Sequence, residues 1–331
     1  MKNVCLSLLL LSTIFFLYNT KAGNQYIQSV DQQDQQAEIK GMKPNKKEPT
    51  QAPTLGAIRA SDGTTLAYNC YVPDVPTAAL IFYHGSGANS QAGYLYMAEQ
   101  LAKYYNVATY LFDIRGHGTS GGARGDAPSS ATVWSDVRDA LDYVQQTHKE
   151  LPIFLGGHSG GAGMLMNYAV WQAAEQPDGY LFVAPMLGRD AGVVRERERE
   201  KKNDRPFVEL HRFSLLMHYI TGGLIGGHWT AVTFNYPEHL VKERGFVTAY
   251  TVNMLGAIHP HHVQQRLSSL QVPTWIFVAD QDELFDPHKI DAFLAPAVES
   301  NNYVHVVHLP EAFHLTILGQ VHDQLGQAIS E

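Results

Sequence analysis

Five residues constrain this chain more than any others. They are Gly157-His158-Ser159-Gly160-Gly161, set between a short apolar run at 152–155 and a helix-periodic stretch at 160–171. The pattern is G-x-S-x-G, and it carries meaning only in that context of strand before and helix after. A serine on so sharp a turn sits in a strained backbone conformation. The residues two places to either side must be small or they collide, and Gly157 and Gly161 meet that need. The hydroxyl of Ser159 then stands exposed at the end of a strand, with His158 and Gly160 completing the turn. The competing reading is a plain glycine-rich turn, since Gly and Ser are common in loops.

A turn of this kind needs a sheet around it, and the rest of the chain provides one. Residues 57–60 and 65–68 flank Ser61-Asp62-Gly63-Thr64, a hairpin signal. Short apolar runs at 79–83, 107–112, 152–155, 180–183, 275–278 and 303–307 read as strands. Helical spacing falls between them at 94–104, 132–147 and 160–171; in 132–147 it is carried by Val133, Val137, Leu141 and Val144. Alternating strands and helices predict an α/β fold, a mostly parallel sheet flanked by helices. Residues 187–260 break the alternation. They show no clear buried strand and read as a mostly helical insertion over the sheet.

Charge and length narrow the function classes. With 331 residues, 45% of them hydrophobic, the chain can bury a sizeable core. A net charge of -8 argues against nucleic acid, which needs a basic face. At the amino terminus Lys2 precedes an almost wholly apolar run at 4–18, and Thr20-Lys21-Ala22 offers small residues for cleavage. Residues 1–22 are therefore expected to be a signal peptide, and the protein exported to a periplasm or secreted. The apolar run is short for a membrane span, which takes roughly 20 residues; the rival reading is a permanent N-terminal anchor. Cleavage removes Lys2 and Lys21 and no acid, leaving -10. It also removes Cys5, so Cys70 has no intramolecular disulfide partner. Residues 23–54, rich in Gln, Lys, Asp and Pro, read as a flexible leader to a domain at 55–331.

A serine hydroxyl is a poor nucleophile until a base takes its proton. His314 follows the last expected strand and precedes the last helix, while His308 lies inside that strand. Acids cluster after the strand at 275–278, in Ala279-Asp280-Gln281-Asp282-Glu283-Leu284, with Asp286 beyond. His84-Gly85-Ser86-Gly87 follows the strand at 79–83. Another run, Asp113-Ile114-Arg115-Gly116-His117-Gly118-Thr119-Ser120, follows the strand at 107–112.

From about residue 55 to the end, these motifs resemble the α/β-hydrolase fold, and within it the monoacylglycerol lipase and lysophospholipase branch. The insertion carries the resemblance least. The resemblance implies the chain order serine, acid, histidine, hence Ser159, Asp282 and His314. The branch commonly reads G-x-x-D in the acid loop. Ala279-Asp280-Gln281-Asp282 matches with Ala for Gly, which prefers Asp282 and leaves Asp280 as its rival. A match to H-G-x-G implies that the Ser86 N–H joins that of Gly160 in an oxyanion hole, with Gly87 the alternative. The D-x-R-G-H-G-x-S run is expected to be structural, with Asp113 and Arg115 held in hydrogen bonds. No metal or organic cofactor is needed for this chemistry. The implied substrate is a small ester or lipid, a monoacylglycerol or lysophospholipid; a peptidase on the same triad and a non-catalytic binding protein remain alternatives.

Two features of the insertion stay open. Phe213, Leu215, Leu216, Met217, Tyr219 and Ile220, followed by Gly222-Gly223-Leu224-Ile225-Gly226-Gly227, either pack the insertion onto the sheet domain or form a lid. A lid would line an acyl pocket and touch a membrane or micelle surface transiently. His259-Pro260-His261-His262 reads as a solvated loop rather than a metal site, because adjacent histidines rarely face one ion and no acidic or cysteine partner lies nearby in the sequence. The alternating charges of residues 195–202 read as an exposed helix.

Overall fold

The computed structural model describes residues 47–195 and 208–331. The expected signal peptide, most of the leader and the charged run at 196–202 lie outside the described residues. The hairpin forms as expected, β1 (Thr54–Arg59) antiparallel to β2 (Thr65–Tyr71). The chain continues through β3 (Ala78–Tyr83), α1 (Leu95–Tyr105), β4 (Val107–Phe112) and α2 (Ser130–Thr147). Then come β5 (Ile153–His158), α3 (Gly160–Tyr168) and β6 (Gly179–Val183). After the insertion it resumes with α7 (Val263–Ser269), β10 (Thr274–Ala279), α8 (Pro287–Ser300), β11 (Val304–Leu309) and α9 (His322–Ser330), the intervening labels being those of the insertion.

Eight strands form one sheet in the order β1-β2-β4-β3-β5-β6-β10-β11. Every pairing from β4 to β11 is parallel, and only β2 runs against its neighbours. The apolar runs lack alternation because both faces are covered. On β3, Ala78, Leu80 and Phe82 enter one core with Met97, Leu101 and Leu325; Ala79, Ile81 and Tyr83 enter the other with Val137, Leu141 and Met164. Side chains alternate across a strand, so one six-residue strand feeds two cores. Burying Leu80, Ile81 or Phe82 stabilises by roughly 1.5–3 kcal/mol each. The parallel strands end on one edge, where α/β sheets hold their ligands.

The insertion corrects the sequence reading. It carries α4 (Arg212–Ile220), α5 (Glu238–Arg244) and α6 (Val252–Ile258), but also a three-stranded antiparallel sheet: β7 (Val208–Leu210), β8 (Thr230–Phe234) and β9 (Ala249–Thr251). Ala231, Val232 and Phe234 of β8 are buried. So a buried strand is present where none was expected. The described structure opens at Lys47, and Thr50 and Gln51 donate backbone N–H groups to Glu99 on α1.

Candidate active site

Ser159 closes β5 and opens α3 with φ 51° and ψ -113°, a left-handed conformation that costs a non-glycine residue strain. The glycines around it are needed for room. A Cβ on Gly157 would lie 2.6 Å from the Gly161 carbonyl carbon, and one on Gly161 would lie 2.5 Å from the Tyr83 oxygen. Glycine also explains why β5 runs on through Gly156 to His158 instead of stopping at Leu155: a Cβ on Gly156 would meet the Phe82 ring at 2.6 Å.

His314 and Asp282 meet in the loops after β11 and β10. His314 Nδ1 and Asp282 Oδ2 are 2.7 Å apart, and both side chains are almost fully buried. The other Asp282 oxygen accepts the N–H groups of Leu284 at 2.7 Å and Phe285 at 3.0 Å. The carboxylate is thus fixed on both oxygens. Arg195 Nε donates to the Asp282 carbonyl at 2.6 Å, and the His314 N–H donates to Glu283 at 3.0 Å. Burial disfavours charge on His314, but the Asp282 carboxylate, with Glu283 behind it, outweighs burial and holds the imidazole above its ordinary range. Asp280, the rival, turns away to His308 Nδ1 at 2.6 Å, and the other His308 nitrogen meets Asp291 at 3.0 Å.

His158 connects the two halves. Its Nε2–H donates to the His314 carbonyl at 2.9 Å, so its Nδ1 is the acceptor and takes the Tyr94 hydroxyl at 3.0 Å. Burial first, and His314 second, push the His158 ring well below the usual histidine range, so it stays neutral.

The loop after β3 faces Ser159. The Gly85 N–H donates to Tyr94 at 2.8 Å and the Gly87 N–H to Tyr250 at 2.6 Å. That leaves the Ser86 N–H as the one of the three without a partner among the described residues. A Cβ on Gly160 would lie 3.1 Å from the Ser86 nitrogen. The Gly160 N–H belongs to the first turn of α3, where no intrahelical acceptor exists. Gly87, the alternative donor, has its N–H occupied. Asp113 accepts from Ser90 and Thr119 at 2.7 and 2.8 Å, and Arg115 grips Asp136 with two nitrogens while reaching Asp62 at 2.9 Å. That run braces the loops, as expected.

Ser159 and Ser86 open into a cavity of about 450 Å³ between the sheet edge and the insertion. Its walls are mainly apolar, among them Met186, Leu215, Val232, Leu255 and Phe285. His259 and His261 also line it; His261 and His262 are exposed, as a solvated loop requires, so only His259 departs from that reading. His259 is half-buried, and burial together with His261 pulls it down to about 4. Among the described residues no group of three or more His, Cys, Asp or Glu could hold a metal ion, and no helix is long and apolar enough to cross a membrane. Sequence reasoning missed Tyr94, Tyr250 and Arg195; no local pattern marks them, because their partners are distant in sequence.

A mostly parallel eight-stranded sheet, a strained serine after β5 and a buried His–Asp pair beyond β10 and β11 define an α/β-hydrolase fold. The chain matches the serine aminopeptidase S33 family over residues 74–319 and belongs to it. It is 26% identical to human monoglyceride lipase over 231 residues, 68% of this chain and 72% of that protein. An uncharacterized abhydrolase domain-containing protein of Dictyostelium discoideum is 26% identical over 203 residues, 61% of this chain; the chain spans 19% of that protein's length. It also spans only 31% of a Schizosaccharomyces pombe relative. In fold it resembles a soluble variant of the Saccharomyces cerevisiae monoglyceride lipase in complex with a substrate analog, at TM-score 0.60 and 16% identity, covering 85% of this chain and 95% of that one.

Proposed function

We propose that this protein hydrolyses carboxylic esters of lipid type, with monoacylglycerols or lysophospholipids as the substrate class, through an acyl-enzyme on Ser159. The observation that carries the reading is the junction of a strained serine with a largely apolar cavity beside a buried His314–Asp282 pair. Ser159 attacks the ester carbonyl while neutral His314 takes its proton. Asp282 holds the imidazole in the required tautomer and offsets its charge once protonated. The Ser86 and Gly160 N–H groups stabilise the oxyanion. His314 then protonates the leaving alcohol, and water, activated by the same ring, releases the acid.

The family's description makes an aminopeptidase the second reading. Such an enzyme must hold a free ammonium group, for which a carboxylate is the natural partner. Among the described residues, none of the cavity's walls is an Asp or Glu, and Arg189 lies there instead. That lining favours the ester reading. The discriminating assay is a panel of p-nitrophenyl esters of increasing chain length, then glycerol and phospholipid esters, set against aminoacyl amides. Long-chain esters should be turned over fastest; faster turnover of aminoacyl amides would transfer the assignment to a peptidase. We further propose export by the amino-terminal segment and transient contact of the insertion with a lipid surface. The support for surface contact is the exposed apolar group Phe213, Tyr219, Ile220 and Leu224.

A further inference from the structure

The insertion does more than roof the cavity, because it reaches the loop after β3 at three of its backbone atoms. Tyr236 donates its hydroxyl to the Ser86 carbonyl at 2.6 Å. The Val247 N–H donates to the Gly87 carbonyl at 2.8 Å. Tyr250 of β9 receives the Gly87 N–H at 2.6 Å, and the Ser86 side chain also hydrogen-bonds its hydroxyl. On its far side Tyr250 meets His117 Nε2 at 2.9 Å.

The direction of every proton in this chain follows from chemistry. His117 Nδ1 faces the Arg115 carbonyl at 3.0 Å, and a carbonyl can only accept. The proton is therefore on Nδ1. The ring is fully enclosed, and burial, with His84 beside it, brings His117 down to about 3. A neutral ring with its proton on Nδ1 has a bare Nε2, so Tyr250 must donate its only proton there. The Tyr250 oxygen is then left as a pure acceptor towards the loop, taking Gly87 N–H and the Ser86 hydroxyl.

The consequence is selective. Tyr94 with His158 occupies the N–H on one side of Ser86, and Tyr250 with His117 occupies the N–H on the other. Each tyrosine gives its proton to a neutral buried histidine and accepts from a glycine of the loop. We infer that Tyr250, kept acceptor-only by His117, is a positioning residue that aims the Ser86 N–H into the oxyanion hole, so that the insertion and the chemistry are mechanically joined. The inference rests on the serine hydrolase reading above. The D-x-R-G-H-G run thereby acquires a role beyond its turn, since it supplies the histidine.

The test uses the full chain with Tyr250→Phe, which removes one oxygen, together with His117→Leu and His117→Gln. The measurements are kcat and KM for p-nitrophenyl butyrate, and Ki for an alkyl trifluoromethyl ketone, whose adduct with a serine carries the oxyanion. Deleting an oxyanion donor outright costs about 10²–10³ in kcat. A misaimed donor should cost at least about tenfold in Tyr250→Phe, with KM within about twofold and Ki raised by the same factor as kcat falls. His117→Gln, which can present an amide oxygen to the Tyr250 hydroxyl, should recover activity relative to His117→Leu. Wild-type kcat and Ki in Tyr250→Phe would overturn the inference, and so would a fall in kcat with Ki unmoved. If Tyr250→Phe folds poorly, the two His117 variants decide: equal loss in both overturns it. A wild-type chain inert towards both the ester and the ketone would instead sink the functional reading beneath it.

Discussion

Asp280 and Asp282 stand two residues apart in one loop and face different histidines. Asp282 is buried against His314, whereas Asp280 is a partly exposed partner of His308. Residue type alone does not separate them, since each is a carboxylate after the same strand, and only the resemblance to G-x-x-D prefers Asp282; in the structure the loop turns back on itself, with the Asp282 N–H on the Ala279 carbonyl. Asp282→Asn should lower kcat by about 10⁴-fold, the loss seen when an orienting acid is made neutral elsewhere. Asp280→Asn should change it little, and the reverse ranking in kcat would move the acid to Asp280. The pH profile follows from His314. Only its neutral form can accept the serine proton, and its raised pKa means protonation begins at a higher pH than for a free histidine, near ~6.5. Activity should therefore fall on acidification through a midpoint above that value. A profile flat into the carboxylate range would contradict a histidine base.

The insertion shows what an element's sequence conceals. Strands of three, five and three residues are too short to display a period, and only pairing with one another makes β7, β8 and β9 visible. Helix α4 has apolar residues on more than one side for a reason: Leu215 faces the cavity, while Phe213, Tyr219 and Ile220 are exposed. Leu224 is 89% exposed and does not line the cavity, so packing onto the sheet domain does not explain it. Two variants separate the inner and outer faces. Leu215→Ala should depress long-chain ester turnover more than butyrate turnover, since each lost methylene contact is worth about 0.8 kcal/mol. Replacing both Leu224 and Ile225 with serine should weaken activity on micelles or vesicles while leaving the soluble butyrate rate and Tm unchanged. An unaltered vesicle rate in that double variant would remove lipid contact from the account.

Across the whole molecule, the order of strands and helices was legible because both faces of a parallel sheet must be covered. Burial on two sides makes β3, β4, β5, β6 and β10 mainly apolar and buried along their whole length, and gives α2 a single apolar stripe, while α3 is buried all round. The strained serine turn was legible because it leaves so few residues that fit. The network around it was not. Tyr250 lies 163 residues from Gly87 and 133 from His117, and Tyr94 lies 64 from His158, so their meeting is a product of the fold alone.

All of the proposed roles depend on one atom, the Ser159 hydroxyl oxygen. The most direct measurement is kcat of Ser159→Ala on the best ester from the panel, beside its Tm. The expected result is a folded protein with wild-type Tm and a kcat lowered by about 10⁶-fold, the loss measured when a triad nucleophile is removed from another serine hydrolase. A folded Ser159→Ala protein that keeps wild-type turnover would contradict it.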